Sequence, residues 1–518
     1  MSHKIKLLLG TASLCAAIGT VAAEQQKPNI LVICTDDQGI GQLKFKPGGF
    51  KASMLAEKFT TGRYKCDPAK AAAAAEKAMP NIEKLANKGV VFTNAFVASP
   101  VCAPSRAAMM TARFPARYGV YDNPDMWNGV TTEEKFLPEK LKEDGYNTAM
   151  IGKWHLGKSR TMKLVSKSRD YHRHSIHECV LEHHPLKRGF SHYLGFNASG
   201  SSYYDSPDIF RNFRNVPAKG YTTEIFTDEA LKFINDSGKK PFFVFLAYNA
   251  PHIPLERMAP KKYQKFNTGN KEVDNYYATI NAVDCGIGKI INQLKKSGKL
   301  KNTLIFYVSD NGAVIDSPQP QNGDFRGFKG MTFQGGVHVP MIAFWPARLK
   351  GGEIYRNNVS AMDILPTCLA AADITVSSGI DGKNLLPYVE GKDKSQPHQY
   401  LFWAGPRNLH WDISNAPFWK NYNAWIRFKT DERPRKTKKP GFAHWNVLSG
   451  KWMLHYYAED KSYSLYNLAE DPGEKDNVAA KHPQITARLK KAGLNWLKEL
   501  PPPIRWKQET WKTLIPQK

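Results

Sequence analysis

The chain has 518 residues, 42% of them hydrophobic and 12% aromatic, and a formal net charge of +26. That length exceeds what a single core usually fills, which predicts one large domain and a smaller one, and the composition excludes a disordered or fibrous protein. So large a positive excess predicts a polyanionic partner drawn in by long-range attraction, either DNA or a sulfated polysaccharide.

The chain opens with Lys4 and Lys6, a mostly apolar run over residues 7–21, and the small residues Ala22 and Ala23. This order predicts a signal peptide over residues 1–23. The run is too short, and too interrupted by Gly, Ser and Thr, for a membrane anchor. Leu14 ahead of Cys15 argues against a lipid anchor. A periplasmic or secreted protein is expected, with no membrane partner, and export favours a sulfated polysaccharide over nucleic acid. Cleavage removes two lysines and leaves +24, from 26 − 2. Six cysteines remain, Cys34, Cys66, Cys102, Cys179, Cys285 and Cys368, with no CxxC pair. That scatter argues against a disulfide framework or a zinc site, leaving open one surface bridge through Cys66 or Cys179.

Residues 24–430 alternate strand and helix patterns, which predicts an α/β domain with a large, mainly parallel sheet sandwiched by helices. Residues 29–35 (NILVICT) form an apolar run suited to a strand buried on both faces. Residues 79–88 place Ile82, Leu85 and Ala86 at helical spacing before Gly89. Strands are expected over 90–96, 147–152, 241–248 and 303–309, and helices over 134–144, 227–235 and 275–296. Two segments read as insertions. Residues 43–78 hold an alanine run fit for a short helix. Residues 158–184 are basic and rich in histidine, as in a solvated substrate loop, and their spacing matches no metal motif. Beyond residue 431 come a basic connector, alternating segments over 445–468 and an amphipathic helix over 482–500, which predicts a C-terminal α+β subdomain over residues 431–518 with an antiparallel sheet.

In open α/β sheets, ligands bind beyond the carboxyl ends of the strands. Three predicted strands end there in chemistry-bearing residues: Asp36-Asp37, His252, and Asp310-Asn311. Three carboxylates and an amide offer only oxygen, which suits Ca²⁺, with Mg²⁺ the second choice. Left unpaired, three buried carboxylates would be costly, and a bound cation removes that cost. Lys153 and His155, two residues apart at the end of another strand, are expected on one face if the chain stays extended. Cys102-Ala103-Pro104-Ser105-Arg106 precedes a helix-prone run, which places Cys102 at a helix N-terminus.

The CxPSR segment at 102–106 resembles the signature of the type I sulfatases, whose cysteine a dedicated formylglycine-generating enzyme oxidises to formylglycine (3-oxoalanine). DDQG at 36–39, GKWHLG at 152–157, APHIP at 250–254, SDNG at 309–312, FKGMTFQGGVHVP at 328–340 and LYNLAEDPGEKDN at 465–477 are similar to segments of that family in its order. The resemblance implies an alkaline-phosphatase-like fold. It implies Ca²⁺ on Asp36, Asp37, Asp310 and Asn311, and formylglycine formed from Cys102. Arg106 would hold the hydrate of that residue, and Lys153 and Lys329 would grip sulfate oxygens. His155 would act on the formylglycine hydroxyl and His252 would face the leaving oxygen. The implied activity is hydrolysis of a sulfate monoester.

The overall pattern is similar to bacterial polysaccharide sulfatases, including those acting on carrageenan-type galactans. Galactose 4-sulfate is the favoured target and a glycosaminoglycan the second. Segments 123–128, 158–184 and 407–411, and some of Trp403, Trp411, Trp419, Trp425 and Trp445, are candidate sugar contacts, although at least half of these tryptophans are expected in the core. A phosphoesterase of the same superfamily would place Ser or Thr at position 102, and a non-catalytic polyanion-binding protein would have lost site residues.

Overall fold

The computed structural model describes residues 27–42, 62–164, 175–255, 257–314, 317–318, 322–376, 378–405, 444–457 and 461–501. The expected signal peptide and residues 43–61 of the first insertion lie outside them.

A ten-stranded sheet organises the large domain, in the order Glu353–Tyr355, Val90–Phe92, Met341–Phe344, Thr303–Ser309, Asn29–Thr35, Phe242–Ala247, Asn147–Lys153, His192–Phe196, Phe210–Arg211 and Arg214–Asn215. The five strands from Thr303–Ser309 to His192–Phe196 run parallel. They read as continuous apolar runs because both faces are covered. Along Asn29–Thr35, Ile30, Val32 and Cys34 enter one core, while Leu31 and Ile33 enter the other. The helices Cys102–Thr111, Leu137–Glu143 and Ile364–Ala371 supply buried residues to the first core. Pro68–Ala78, Pro80–Asn87, Thr222–Asp236 and Lys271–Lys296 supply the second.

Several boundaries moved for local reasons. The helix expected from 275 starts at Lys271, because the Asn270 side chain accepts the N–H groups of Glu272 and Val273 as a cap. The strand expected over 90–96 breaks after Phe92. Ala95–Phe96 pairs instead with Val359–Ser360 in a separate two-stranded sheet. The second insertion is not wholly a loop where it is described: Ser159–Leu164 pairs antiparallel with Ser175–Cys179, while Glu178, Leu181 and Glu182 are exposed. His177 and His184 are buried, and the His184 ring bonds to the Asn212 carbonyl at 3.0 Å. His172 and His174 lie outside the described residues.

The C-terminal part holds a four-stranded antiparallel sheet, in the order Leu401–Gly405, His444–Ser449, Trp452–Tyr457 and Ser462–Asn467. Its first strand precedes the boundary expected near residue 431, which itself lies outside the described residues. The helix Pro483–Lys498 packs on this sheet through Gly493. A Cβ there would come within 2.2 Å of the Trp445 ring, so the missing side chain is what admits the indole. Trp403 and Trp445 are buried in the core; Trp411, Trp419, Trp425 and segment 407–411 lie outside the described residues.

Among the described residues, no helix is long and apolar enough to cross a membrane. The six cysteines after residue 23 are free, so the surface bridge left open for Cys66 or Cys179 is absent.

Candidate active site

The carboxyl ends of the central strands deliver the predicted residues to one place. Asn29–Thr35 and Thr303–Ser309 pair in register, so Asp36 and Asp310 emerge side by side; the Asp310 N–H bonds the Thr35 carbonyl at 3.0 Å. Asp36 also donates its N–H to the Ala250 carbonyl, which ties it to the turn that carries His252. Asp37 sits at φ 65, a left-handed conformation that Asp tolerates better than most residues. Its N–H then meets Asp310 Oδ1 at 3.1 Å, and Asn311 Nδ2 donates to Asp37 Oδ1 at 2.8 Å.

Cys102 is the first residue of its helix, after extended Val101, and it is buried. Arg106 lies four residues on, hence on the same helical face, and is 1% exposed. Its Nε donates to Asp310 Oδ2 at 2.9 Å and its Nη1 to the Lys153 carbonyl at 3.0 Å. Ligand atoms of Asp36, Cys102 and Asp310 lie within 4.8 Å of one another, as do those of Asp36, Asp37 and His252.

The carboxylates are not unpaired, contrary to the expectation from sequence. Lys153 Nζ bonds Asp36 Oδ2 at 2.7 Å, Lys329 Nζ bonds Asp37 Oδ1 at 2.6 Å, and Arg106 holds Asp310. Three carboxylates thus face three cations, and neutrality alone does not require a metal. Two oxygens do have room for one: Asp36 Oδ1, 3.9 Å from Arg106 Nη2, and Asn311 Oδ1 are buried with no hydrogen-bond partner. Oxygens without a hydrogen bond on an all-oxygen donor set fit a hard cation such as Ca²⁺.

The charges shift one another. Burial alone would raise Asp37, but His252, Lys329 and Lys153 outweigh it and hold the carboxyl well below its ordinary value. Burial and the neighbouring Asp36 push Asp310 up to about 6, against the pull of Arg106. Burial, then Lys153 and Arg106, push His155 well below the usual imidazole value, so this ring is neutral.

Lys153 and His155 do meet the same charged cluster, although not by strand alternation. The chain leaves the extended conformation at His155, whose φ is 55. Just before it, Gly152 has φ 101, and a Cβ there would lie 1.9 Å from the Ala247 carbonyl oxygen. Glycine therefore lets the strand close on its neighbour and deliver Lys153.

The His252 Nδ1 lies 2.5 Å from the Ile253 carbonyl, so Nδ1 carries the hydrogen and Nε2 faces the site. Nε2 stands 3.2 Å from Lys329 Nζ and 3.4 Å from Asp37 Oδ2.

Two supporting residues were not foreseen in these roles. Asn123, within a segment proposed for sugar contact, accepts the Ala103 N–H at 3.1 Å and places Nδ2 3.5 Å from Cys102 Sγ. The Tyr203 hydroxyl lies 3.0 Å from the Asn249 carbonyl and 2.9 Å from the His252 carbonyl, bracketing the turn that holds His252. Neither belongs to a motif, and only the folded chain brings them close.

Known proteins share both this sequence and this fold. The sulfatase family model matches residues 28–374. YdeN of Escherichia coli K12, described as an uncharacterized sulfatase, is 41% identical over 487 residues, covering 92% of this chain and 87% of that one. Human N-acetylgalactosamine-6-sulfatase is 29% identical over 486 residues, covering 87% of this chain and 81% of the human protein. The crystal structure of Ps i-CgsB in complex with k-i-k-neocarrahexaose is similar with a TM-score of 0.72 and 27% identity, covering 94% of this chain and 97% of that one.

Proposed function

The chain belongs to the sulfatase family and is a sulfuric ester hydrolase, and from that premise we propose that it cleaves sulfate monoesters on a sulfated polysaccharide or its oligosaccharides, with residue 102, matured to formylglycine, as nucleophile. The observation that carries this reading is the convergence of Cys102, Asp36 and Asp310 at the mouth of the sheet, with Arg106 bonded to Asp310. Position 102 is buried beside cations, at a helix start whose N–H groups favour anions.

A sulfate ester is an anion that repels an anionic attacker, so the site must first neutralise charge. Ca²⁺ would be held by Asp36, Asp37, Asp310 and Asn311 and would supply further neutralisation of the sulfate group. The hydrated formylglycine would supply two hydroxyls on one carbon, one to attack sulfur and one whose ionisation expels sulfate afterwards. Lys329, with 11% of its side chain exposed, binds a sulfate oxygen from the open side. Lys153 spends one of its three donors on Asp36 and keeps others for the sulfate. Arg106 orients residue 102 from the next helical turn. His252 Nε2, 3.4 Å from Asp37 Oδ2 and 3.2 Å from Lys329 Nζ, faces the departing oxygen and delivers a proton to it as general acid. His155, kept neutral by burial and by the surrounding cations, accepts the proton of the second hydroxyl.

For the substrate, we favour a carrageenan-type galactan carrying galactose 4-sulfate. The support is the similarity to Ps i-CgsB, whose structure holds a neocarrahexaose, together with the net charge of +26. A glycosaminoglycan is the second reading, favoured by the relative named N-acetylgalactosamine-6-sulfatase. The experiment is a panel of sulfated galactans, glycosaminoglycans and matched phosphate esters, read for inorganic sulfate and phosphate. Sulfate release from galactans supports the proposal; release from glycosaminoglycans alone transfers it to the second reading; phosphate release alone refutes it.

A further inference from the structure

Lys329 stands at the crown of an arch that runs from Arg326 to the short helix Gln334–Val337, and the feet of that arch rest on the C-terminal subdomain. Arg326 Nη1 donates to the Glu474 carbonyl at 2.9 Å. Gln334 donates its N–H to Glu474 Oε2 at 2.8 Å and its side-chain amide to the Pro472 carbonyl at 2.7 Å. Between them, the Thr332 hydroxyl donates to Asn446 Oδ1 at 2.9 Å, and Asn446 Nδ2 returns a bond to the Thr332 carbonyl at 2.6 Å. His455 joins the two sides, accepting from Asn446 at Nδ1 (2.9 Å) and donating from Nε2 to Glu474 Oε1 (2.7 Å). Its ring stacks on Phe333 with centroids 4.7 Å apart. Asn446, His455 and Glu474 are each 0% exposed.

An apolar contact would hold two subdomains together at less cost, because a buried carboxylate and imidazole are expensive unless every bond is made. What a satisfied polar network adds is registry: it is made in one arrangement and lost in others. Registry matters here because of what the arch carries. The Lys329 side chain is long and flexible, so the placement of its ammonium beside Asp37 depends on a fixed backbone. That backbone is pinned at the crown by two further bonds, Lys329 N–H to the Ala313 carbonyl and Gly330 N–H to the Pro100 carbonyl, both 2.9 Å.

We propose that Glu474, His455 and Asn446 are positioning residues for the sulfatase reaction, a clamp by which the C-terminal subdomain sets the location of Lys329 and so the affinity of the site for the sulfate group. None of the three touches the reacting atoms; they act through the arch. The inference rests on the proposed role of Lys329 in binding sulfate.

The test measures binding of inorganic sulfate to the full-length protein by calorimetry, in a double-mutant cycle. Glu474→Gln cannot accept from both Gln334 and His455. Thr332→Val, which breaks the clamp from the arch side with little change of volume, serves where the first variant fails to fold. A misplacement of 1 Å can cost about a hundredfold in rate, and for the smaller displacement and the binding step alone each variant is expected to weaken sulfate binding about tenfold. In a Lys329→Ala background the same substitution should change it less than about twofold, since coupled residues are not additive. A clamp serving stability alone would lower the melting temperature but leave sulfate affinity unchanged, or lower affinity equally in both backgrounds; either result overturns the clamp. Unchanged affinity in Lys329→Ala itself would instead overturn the reading of Lys329.

Discussion

Asn123 touches Cys102 across two elements, its Nδ2 3.5 Å from the sulfur, while its Oδ1 accepts the N–H of the next residue, Ala103. The first N–H groups of a helix have no partner within it, and here one is capped from outside. Asn123 therefore fixes both the start of the helix and the side chain proposed as nucleophile. Asn123→Ala should lower kcat by about tenfold, the cost of a misplaced reacting group, with the fraction of matured residue 102 measured alongside. An unchanged kcat at equal maturation would show that this contact plays no part.

In the proposed mechanism His252 gives its proton only where the leaving oxygen needs one. His252→Ala should reduce kcat by about a hundredfold or more on a sugar sulfate, within the usual range for general acid catalysis. The loss should be much smaller on an aryl sulfate, whose phenolate leaves without help. The same factor for both substrates would contradict the assignment.

Arg106 is a buried cation between Asp310 and the Lys153 carbonyl. Arg106→Ala strands a buried carboxylate and should destabilise the fold by about 3–5 kcal/mol, read from denaturant unfolding. Arg106→Lys keeps the charge but cannot span both partners, so it should recover part of the stability while turnover stays low. Full turnover in the lysine variant would refute the need for the fork.

Glu229 holds the edge of the main sheet, bonded to His192 at 2.7 Å and to Arg211 at 2.5 Å. Burial works against its charge, but these two partners win and lower its pKa to about 2. A depressed folded pKa gives stability that is fully present above the unfolded value near 4.5 and lost as pH falls toward 2. Partial exposure of the partners reduces the contribution to roughly 1–2 kcal/mol. The stability difference between the protein and Glu229→Gln should therefore be largest at neutral pH and shrink below about pH 4. A difference that grew on acidification would have the wrong sign.

Much of the site was legible because its residues come directly after apolar runs. NILVICT, FFVFLA and TLIFYVS announce buried strands, and the residues at their carboxyl ends must lie along one edge of a parallel sheet. That logic located Asp36, Asp37, His252, Asp310 and Asn311 with no contact known. It could not tell how the carboxylates are neutralised, since the pairs Lys153–Asp36 and Lys329–Asp37 join residues separated by 117 and 292 positions. Nor could it foresee Asn123 or Tyr203, whose roles arise from where a 3₁₀ turn and a loop come to rest. Strand alternation predicts His155 on the same face as Lys153, whereas the chain leaves the extended conformation at His155, with φ 55. The spacing and charge of residues 158–184 do not reveal that His177 and His184 are buried, the first with its N–H on Asp208 and the second with its ring on the Asn212 carbonyl.

In the proposed mechanism turnover depends on the chemical state of residue 102. Mass spectrometry of the peptide spanning residues 102–106, from protein made in a host with and without a formylglycine-generating enzyme, can be set against sulfate release by the same preparations. We predict that activity rises in proportion to the fraction of residue 102 found as the aldehyde, and that Cys102→Ser fails to turn over repeatedly. Full activity from protein whose residue 102 is entirely thiol would contradict the mechanism.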